Sequence, residues 1–484
     1  MDDAERARLL REAADLQHAQ PEAACDIYRR IIATRPDDVE TLLNLGMLTS
    51  NAGDWDGALT LVRRCLRLAP HNLKVLGVMV HMAHRSRRFD EALACANRLL
   101  ALTPGEASML AARARALAGL ERDEEALEAA QADPRSANAQ WTLASALSAL
   151  GQSRQAIAHA EAALAQQADH APALFIASLE WLRLGDYARG WPLYEWRFLA
   201  HPHDPVRLFG RPQWFHKDKL EGQRILLHPE QGYGDTIQFC RYAPLIAARG
   251  AHVILEVPEP LVGLMRRLEG VAEVYAVGDP LPDVHCFAPL MTLPLEFGTT
   301  LETIPAAVPY LHADSARKAA WAARLGPRRR PRIGLAWSGN RMSGRKRHLP
   351  LAALAPLLAL DAEFIGLQTE IAPADRAALA AAGNLRSFDG EITDFDDTAA
   401  LIGLCDLIVT VDTSVAHLAG AMAAPTWIML AHTPDWRWHQ GREDSPWYPS
   451  ARLFRQPARG DWPSVVAALT AALGPRLEGF DARG

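Results

Sequence analysis

The residues best suited to chemistry in this chain gather at three corners. The first is VTVDTSVAHLAGAMAAPTW, residues 409–427. An apolar run into Asp412 reads as a buried strand, and Thr413 or Ser414 can cap the helix that follows, whose free N–H groups face an anion. A diphosphate suits that place. The backbone amides of Thr413, Ser414, Val415 and Ala416 would hold its oxygens, and His417 would donate a further hydrogen bond. The competing reading is that the hydroxyls only cap and His417 only packs. The second corner is LLHPEQGYGDTIQFCRY, residues 226–242. A strand ends at His228, a loop carries Gln231, Gly232 and Gly234, and Asp235 opens a helix. Glycine allows φ > 0 and close approach of a ligand. Asp235 can take a proton from an attacking hydroxyl, or it can simply cap its helix at a gain of about 1 kcal/mol. The third corner is LAWSGNRMSGRKRHLPLAAL, residues 335–354. A strand ends at Trp337, and Ser338, Gly339 and Asn340 lead to Arg345, Lys346 and Arg347. Cations there would stabilise negative charge on a departing diphosphate without a metal; the plainer reading is a solvated basic loop.

Positioning such corners requires strands that end beside helix starts. Strand candidates run over 224–228, 252–257, 273–277, 332–337, 363–368, 406–411 and 426–430, with Gln368 at the end of the fifth. Helical stretches fall at 235–248, 350–359, 372–382, 395–404 and 414–422. Continuous apolar strands alternating with helices argue for parallel sheets covered on both faces. The Pro- and Arg-rich linker at 326–331 divides this half in two, giving residues 205–325 and 326–484 as two doubly wound domains. Ligands in such folds lie beyond the carboxyl ends of the strands. The loop PDWRWHQGREDSPWYP (434–449) offers Trp436 and Trp438 as a wall for a base or sugar and Arg437 or Arg442 as phosphate contacts. A helix at 461–473 is expected to brace the two domains.

Residues 1–204 read differently. Prolines at 36, 70 and 104 are 34 residues apart, and small residues at Ala24, Ala58, Ala92, Ala126, Ala156 and Gly190 keep that step except for one gap of 30. Two short helices per period cannot bury their apolar faces alone, so units must stack. Proline ends each second helix. About six units fit over residues 5–202, the unit ending at Pro134 having a shortened second helix. Stacked pairs curve into a groove that can hold a peptide, or they serve as a platform or oligomer contact.

Hydrophobic residues make up 49% and charged residues 22% of the 484, which places the chain among soluble globular proteins. A net charge of −6 gives no general attraction to nucleic acid or anionic membrane. The six cysteines lack metal or disulfide spacing and are expected as free thiols. The charged N-terminus and the lack of a long apolar run suggest a cytoplasmic protein.

The first two hundred residues resemble tetratricopeptide repeats, as VETLLNLGMLTSNAGDWDGALTLVRRCLRLAP beside LKVLGVMVHMAHRSRRFDEALACANRLLALTP illustrates. GYGDTIQF together with VDTSVAHLAGAMAAPTW resembles family 9 glycosyltransferases, which include the lipopolysaccharide heptosyltransferases. More closely, GDYARGWPLYEWR, EQGYGDTIQFCRYAPL and PDWRWHQGREDSPWYPSARLFRQ resemble bacterial proteins that fuse such repeats to this domain. The resemblance implies a multidomain fold: an all-α repeat solenoid followed by an α/β GT-B pair of Rossmann-like domains, acceptor side first. It implies inverting, metal-independent transfer from a nucleotide-sugar with no further cofactor. Asp235 would be the base. Ser338, Gly339, Asn340, Lys346, Arg347, Gln368 and the 412–417 corner would form the donor-binding set. The acceptor would be a protein bound by the repeats, such as a flagellin or another surface protein. Two other readings stand beside it: a scaffold with a degenerate transferase domain, and an enzyme acting on saccharide or lipid whose repeats serve assembly.

Overall fold

The computed structural model describes residues 1–132, 134–200, 207–216, 218–339 and 348–478. The chain divides into two compact units, Met1–Glu180 and Trp181–Gly484. Among the described residues no helix is long and apolar enough to cross a membrane, and all six cysteines are free.

The first unit is a stack of helix pairs: Asp3–Leu16 with Pro21–Thr34, Val39–Asn51 with Trp55–Leu68, Leu73–Arg85 with Phe89–Leu102, Ala107–Gly119 with Asp123–Gln131, and Ala137–Ala149 with Ser153–Gln166. Side chains that suit caps better than helix interiors start several of them. Asp38 accepts from the Thr41 amide at 3.0 Å, and Asp54 from that of Gly57 at 2.9 Å. The recurring alanines at 24, 58, 92, 126 and 156 are fully buried, where paired helices come closest. In four of these five pairs the turn holds a left-handed residue, Gly53 and Gly151 in two of them and Arg87 and Glu121 in the other two. The second helix of the fourth pair has 9 residues against 14 in its neighbours, the shortening expected from the 30-residue gap.

Among the described residues of the second unit, ten strands form two all-parallel sheets. The first sheet contains β1 (Arg224–His228), β2 (His252–Val257), β3 (Val271–Ala276) and β4 (Cys286–Pro289), in the order β3-β2-β1-β4. The second contains β5 (Arg332–Ala336), β6 (Glu363–Gly366), β7 (Leu385–Arg386), β8 (Leu407–Val411), β9 (Thr426–Leu430) and β10 (Ala451–Arg455), in the order β10-β9-β8-β5-β6-β7. In each sheet the chain first winds outward from one strand, then returns to that strand's other side. The reversal lies between β1 and β4 in one and between β5 and β8 in the other. Loops leave a reversal point in opposite directions, so a crevice opens above it, where doubly wound folds bind ligands.

Three strands escape the sequence reading: β4, β7 and β10. β7 has two residues and β4 meets proline after three apolar residues, so neither presents an apolar run of ordinary strand length. Some expected helices break into shorter pieces; 235–248 becomes Tyr233–Phe239, a 3₁₀ turn and Ala243–Ala247. The last helix, Trp462–Glu478, does not act as the expected cross-domain brace. Its buried Val465, Val466, Leu469 and Leu473 join Leu351, Leu354 and Leu357 in the core of the second sheet. The segment Tyr187–Ala200 ties into the second unit instead. Trp191 Nε1 donates to the Thr299 carbonyl at 3.1 Å, and Arg197 donates to Glu230 at 2.8 Å.

Candidate functional site

The two reversal points face one cleft of about 1530 Å³, lined by residues of both lobes. Typical small-ligand pockets span roughly 300–1,000 Å³, so this one has room for two reactants at once. Gln231, Gly232, Gly234 and Asp235 enter it from the loop after β1, Ser338, Gly339 and Gln368 from the ends of β5 and β6, and Asp412, Thr413, Ser414, Val415 and His417 from the end of β8. Three corners far apart in sequence thus share one space.

The lobes meet tightly at Gly234. A Cβ there would lie 2.6 Å from His417 Cδ2. The glycine is required by this contact between lobes, not by φ > 0, and Gly232 at φ −81° is equally ordinary. His417 cannot retreat easily: its Nδ1 shares a hydrogen bond with the Tyr448 hydroxyl at 2.9 Å, and its ring stacks on Trp438. Only its Nε2 edge is directed toward Gly234 and the cleft.

Asp235 is the third residue of the helix Tyr233–Phe239, and its carboxylate is held on both oxygens. Oδ2 accepts from the Gly232 amide at 2.9 Å, and Oδ1 accepts from Arg437 Nη2 at 2.5 Å. The side chain keeps 21% exposure, open to the cleft. Arg437 was expected to reach phosphate. The structure instead buries it, with Nη1 on Asp435 at 2.8 Å and Nε on Gln238 at 2.6 Å. Burial disfavours its charge, but Asp435 and Asp235 outweigh that and hold the guanidinium more firmly protonated than usual. One cation from the second lobe therefore fixes the orientation of the first lobe's carboxylate. Arg442 pairs with Asp444.

At the β8 corner, Thr413 precedes the helix Ser414–Ala421 in extended conformation, and its side chain makes no capping hydrogen bond. Helix geometry leaves the N–H groups of Ser414 and Val415 without intrahelical acceptors. Ala416 departs from expectation. It is fully buried, and its N–H donates to the Thr413 carbonyl at 3.0 Å, so it has no group to offer an anion. Asp412 is 6% exposed at the cleft wall. Gln368 acts on the third corner rather than facing outward. Its Nε2 donates to the Ser338 carbonyl at 2.9 Å and its Oε1 accepts the Ser338 amide at 3.3 Å, fixing the turn after β5. Asn340, Lys346 and Arg347 lie outside the described residues.

Trp436 and Trp438 require correction. They are 2% and 0% exposed and form no wall of the cleft. Trp436 packs edge-on among Tyr187, Trp191, Tyr194 and Trp447, and Trp438 supports His417. A loop holding two indoles away from water gains more from burying them than from waiting for a ligand. The sequence reading missed Tyr233 and Phe395, one from each lobe. Both line the cleft, with ring centroids 5.3 Å apart at 68°. Asp394 caps the helix Phe395–Ile402 by accepting the Asp397 amide at 3.0 Å. An Asp opening an apolar helix was a signal that could have pointed here.

Comparison with known proteins returns the same two parts. Residues 51–116 match the family model for the tetratricopeptide repeat, and residues 390–468 match glycosyltransferase family 9 (heptosyltransferase). Protein FlbA of Caulobacter vibrioides is 28% identical over 371 residues, covering 67% of this chain and 59% of its own length. Solved structures similar to part of the chain include MamA from Desulfovibrio magneticus RS-1 (21% identity, TM-score 0.32, 35% of this chain and 98% of that one). A tetratricopeptide-repeat protein of Thermus thermophilus is similar at 23% identity and TM-score 0.31, over 34% and 93%.

Proposed function

From a chain that joins tetratricopeptide repeats to a glycosyltransferase family 9 segment, we infer an inverting glycosyltransferase that moves a sugar from a nucleotide-sugar to an acceptor hydroxyl. The observation that carries this reading is Asp235 sharing one cleft with the open helix start at Ser414. In the proposed step the acceptor O–H gives its proton to an Asp235 carboxylate oxygen as the acceptor oxygen attacks the anomeric carbon. The bond from that carbon to the diphosphate breaks, and the electron pair leaves with the nucleoside diphosphate. The Ser414 and Val415 amides receive the developing charge, with His417 Nε2 as a further donor beside them. Lys346 or Arg347 would add positive charge. The step requires no metal. Residues 205–325 would take the acceptor and residues 326–484 the donor.

The acceptor of this reading is a serine or threonine hydroxyl of a cytoplasmic protein, a flagellin or another surface protein before export, recruited by the repeats. Calorimetric titration with UDP, GDP, ADP and CMP tests the donor half. Binding of one nucleotide, weakened by Ser414→Pro, supports it. Failure of all four to bind favours a scaffold without catalysis. Deleting residues 1–180 separates protein transfer, which the deletion should abolish, from saccharide or lipid transfer, which it should spare.

A further inference from the structure

The histidine that faces the cleft ends a hydrogen-bonded chain running from one lobe to the other. The chain starts at the buried Arg241. Its Nε donates to the Gln238 carbonyl at 2.8 Å, Nη1 to the Trp447 carbonyl at 2.9 Å and Nη2 to the Tyr310 hydroxyl at 2.9 Å. Among the described residues no carboxylate pairs with it; the guanidinium lies instead over the Tyr310 and Tyr448 rings, 4.7 and 4.9 Å from their centroids. Tyr310 and Tyr448 are joined by a hydrogen bond between their side chains, and the Tyr448 hydroxyl reaches His417 Nδ1 at 2.9 Å.

Each proton in this chain has one place to go. A guanidinium only donates, so the Tyr310 oxygen accepts from Arg241. The single Tyr310 proton goes to the Ile237 carbonyl at 2.9 Å, because a carbonyl has none to give. The bond between the two tyrosines therefore uses the proton of Tyr448, which burial keeps on its oxygen. That leaves Tyr448 only a lone pair for His417, and the ring must supply the proton of the Nδ1 bond. A neutral imidazole carries one N–H. With that N–H on Nδ1, Nε2 is a bare lone pair, and Nε2 is the atom directed at Gly234 and the cleft.

A lone pair repels a phosphate oxygen. Nε2 becomes a donor only when a second proton, taken from solvent, makes the ring an imidazolium. Two buried cations, Arg241 and Arg437, oppose that charge. Of the acids on the elements packed around the ring, Asp235 and Asp435 are both held by Arg437, Asp394 pairs with Arg317 at 3.1 Å, and Asp412 lies on the histidine's own strand-to-helix corner. A diphosphate at the Ser414 helix start adds the negative charge that shifts the ring to its protonated form.

We propose that Tyr448 and Tyr310 are positioning residues that hold His417 in its Nδ1–H tautomer, so that a nucleoside diphosphate is gripped by an imidazolium and its binding draws one proton from solvent. The proton returns to solvent when the nucleoside diphosphate leaves after transfer. The inference rests on the donor site of the proposed function.

The test is calorimetric titration of the full chain with UDP, GDP and ADP at about pH 7.5, in buffers of different ionisation enthalpy, which counts the protons exchanged on binding. For the nucleotide that binds, the unmodified chain should take up about one proton and His417→Gln about none. Tyr448→Phe keeps the ring that packs beside Gly420 but frees Nδ1, and should cut the uptake by more than about half. Tyr310→Phe lets Tyr448 turn its proton to Nδ1 and should cut the uptake likewise, although the bond between Tyr448 and His417 survives. Nitrogen-15 spectra of the unliganded chain give a second readout: the His417 Nε2 resonance, identified by its loss in His417→Gln, should be that of an unprotonated nitrogen. Binding without proton uptake, unchanged uptake in both tyrosine variants, or a protonated Nε2 in the unliganded chain would overturn the proposal and leave the donor site standing. Failure of all three nucleotides to bind would remove the donor site, and this use of His417 with it.

Discussion

Gly234→Ala is the smallest change that probes how the site is assembled. The added carbon would stand 2.6 Å from His417 Cδ2, 3.3 Å from Nε2 and 3.5 Å from Cγ. Carbon pairs rest at about 3.5–4.0 Å, so close to an ångström must be made up by movement. The imidazole cannot give it freely, since Tyr448 holds Nδ1 and Trp438 lies against its face. The Tyr233–Phe239 helix start must therefore shift and carry Asp235 with it. Overpacking of this kind costs about 1–3 kcal/mol, and an ångström of displacement at a reacting group reduces rate about 10²-fold. Differential scanning calorimetry should show the second unit melting lower by a few degrees, with the repeat unit's transition in place. Gly383→Ala is the control, because a Cβ there meets nothing within 4 Å. If Gly234→Ala melts like the control and binds nucleotide like the unmodified chain, the contact between lobes is not what shapes the site.

Other outcomes follow from the same contacts. Arg437→Met leaves Asp235, Asp435 and Gln238 without their shared donor and should destabilise the second unit by about 3–5 kcal/mol; adding Asp235→Asn should recover part of that loss, as a double-mutant melting cycle would show. Burial pushes the His228 and His439 imidazoles down to about 4. Since they charge near pH 6.5 when unfolded, their contribution is complete above about pH 6.5 and is lost as pH falls toward about 4, up to about 3 kcal/mol each; melting followed against pH should decline over that window, less steeply in His439→Gln. Ala92→Leu, at a fully buried helix crossing, should lower the repeat unit's stability by about 1–3 kcal/mol, read from its melting transition. Arg87, at φ 56°, occupies a backbone region that costs about 1 kcal/mol without glycine, so Arg87→Gly should leave that unit as stable as before or more so.

The features legible in the sequence were those that have a period. The alanines and prolines 34 residues apart marked helix pairs because each repeat meets the same packing problem. Apolar runs ending at Asp412, Trp337 and His228 marked strand ends because parallel strands are buried on both faces. Non-local events had no local signature. Arg437 looked like a phosphate ligand because a free guanidinium suits one, and nothing nearby in sequence shows that Asp235, some two hundred residues earlier, already claims it. Gly234 suggested backbone freedom, while its actual constraint is a histidine on another lobe. Trp436 and Trp438 suggested a binding wall, yet the partners of Trp436 include Tyr187, Trp191 and Tyr194, which come from before the first sheet. Gln368 sat at a strand end for a reason visible only once Ser338 stood beside it.

Mass-spectrometric detection of sugar transfer to host proteins, supplied with a panel of UDP-, GDP-, ADP- and CMP-sugars, tests the role of Asp235 most directly when the unmodified chain is compared with Asp235→Asn. Transfer by the former, and its loss in a variant that still binds the nucleotide, is the predicted result. Equal transfer by both would contradict Asp235 as the base and with it the mechanism assigned to the cleft.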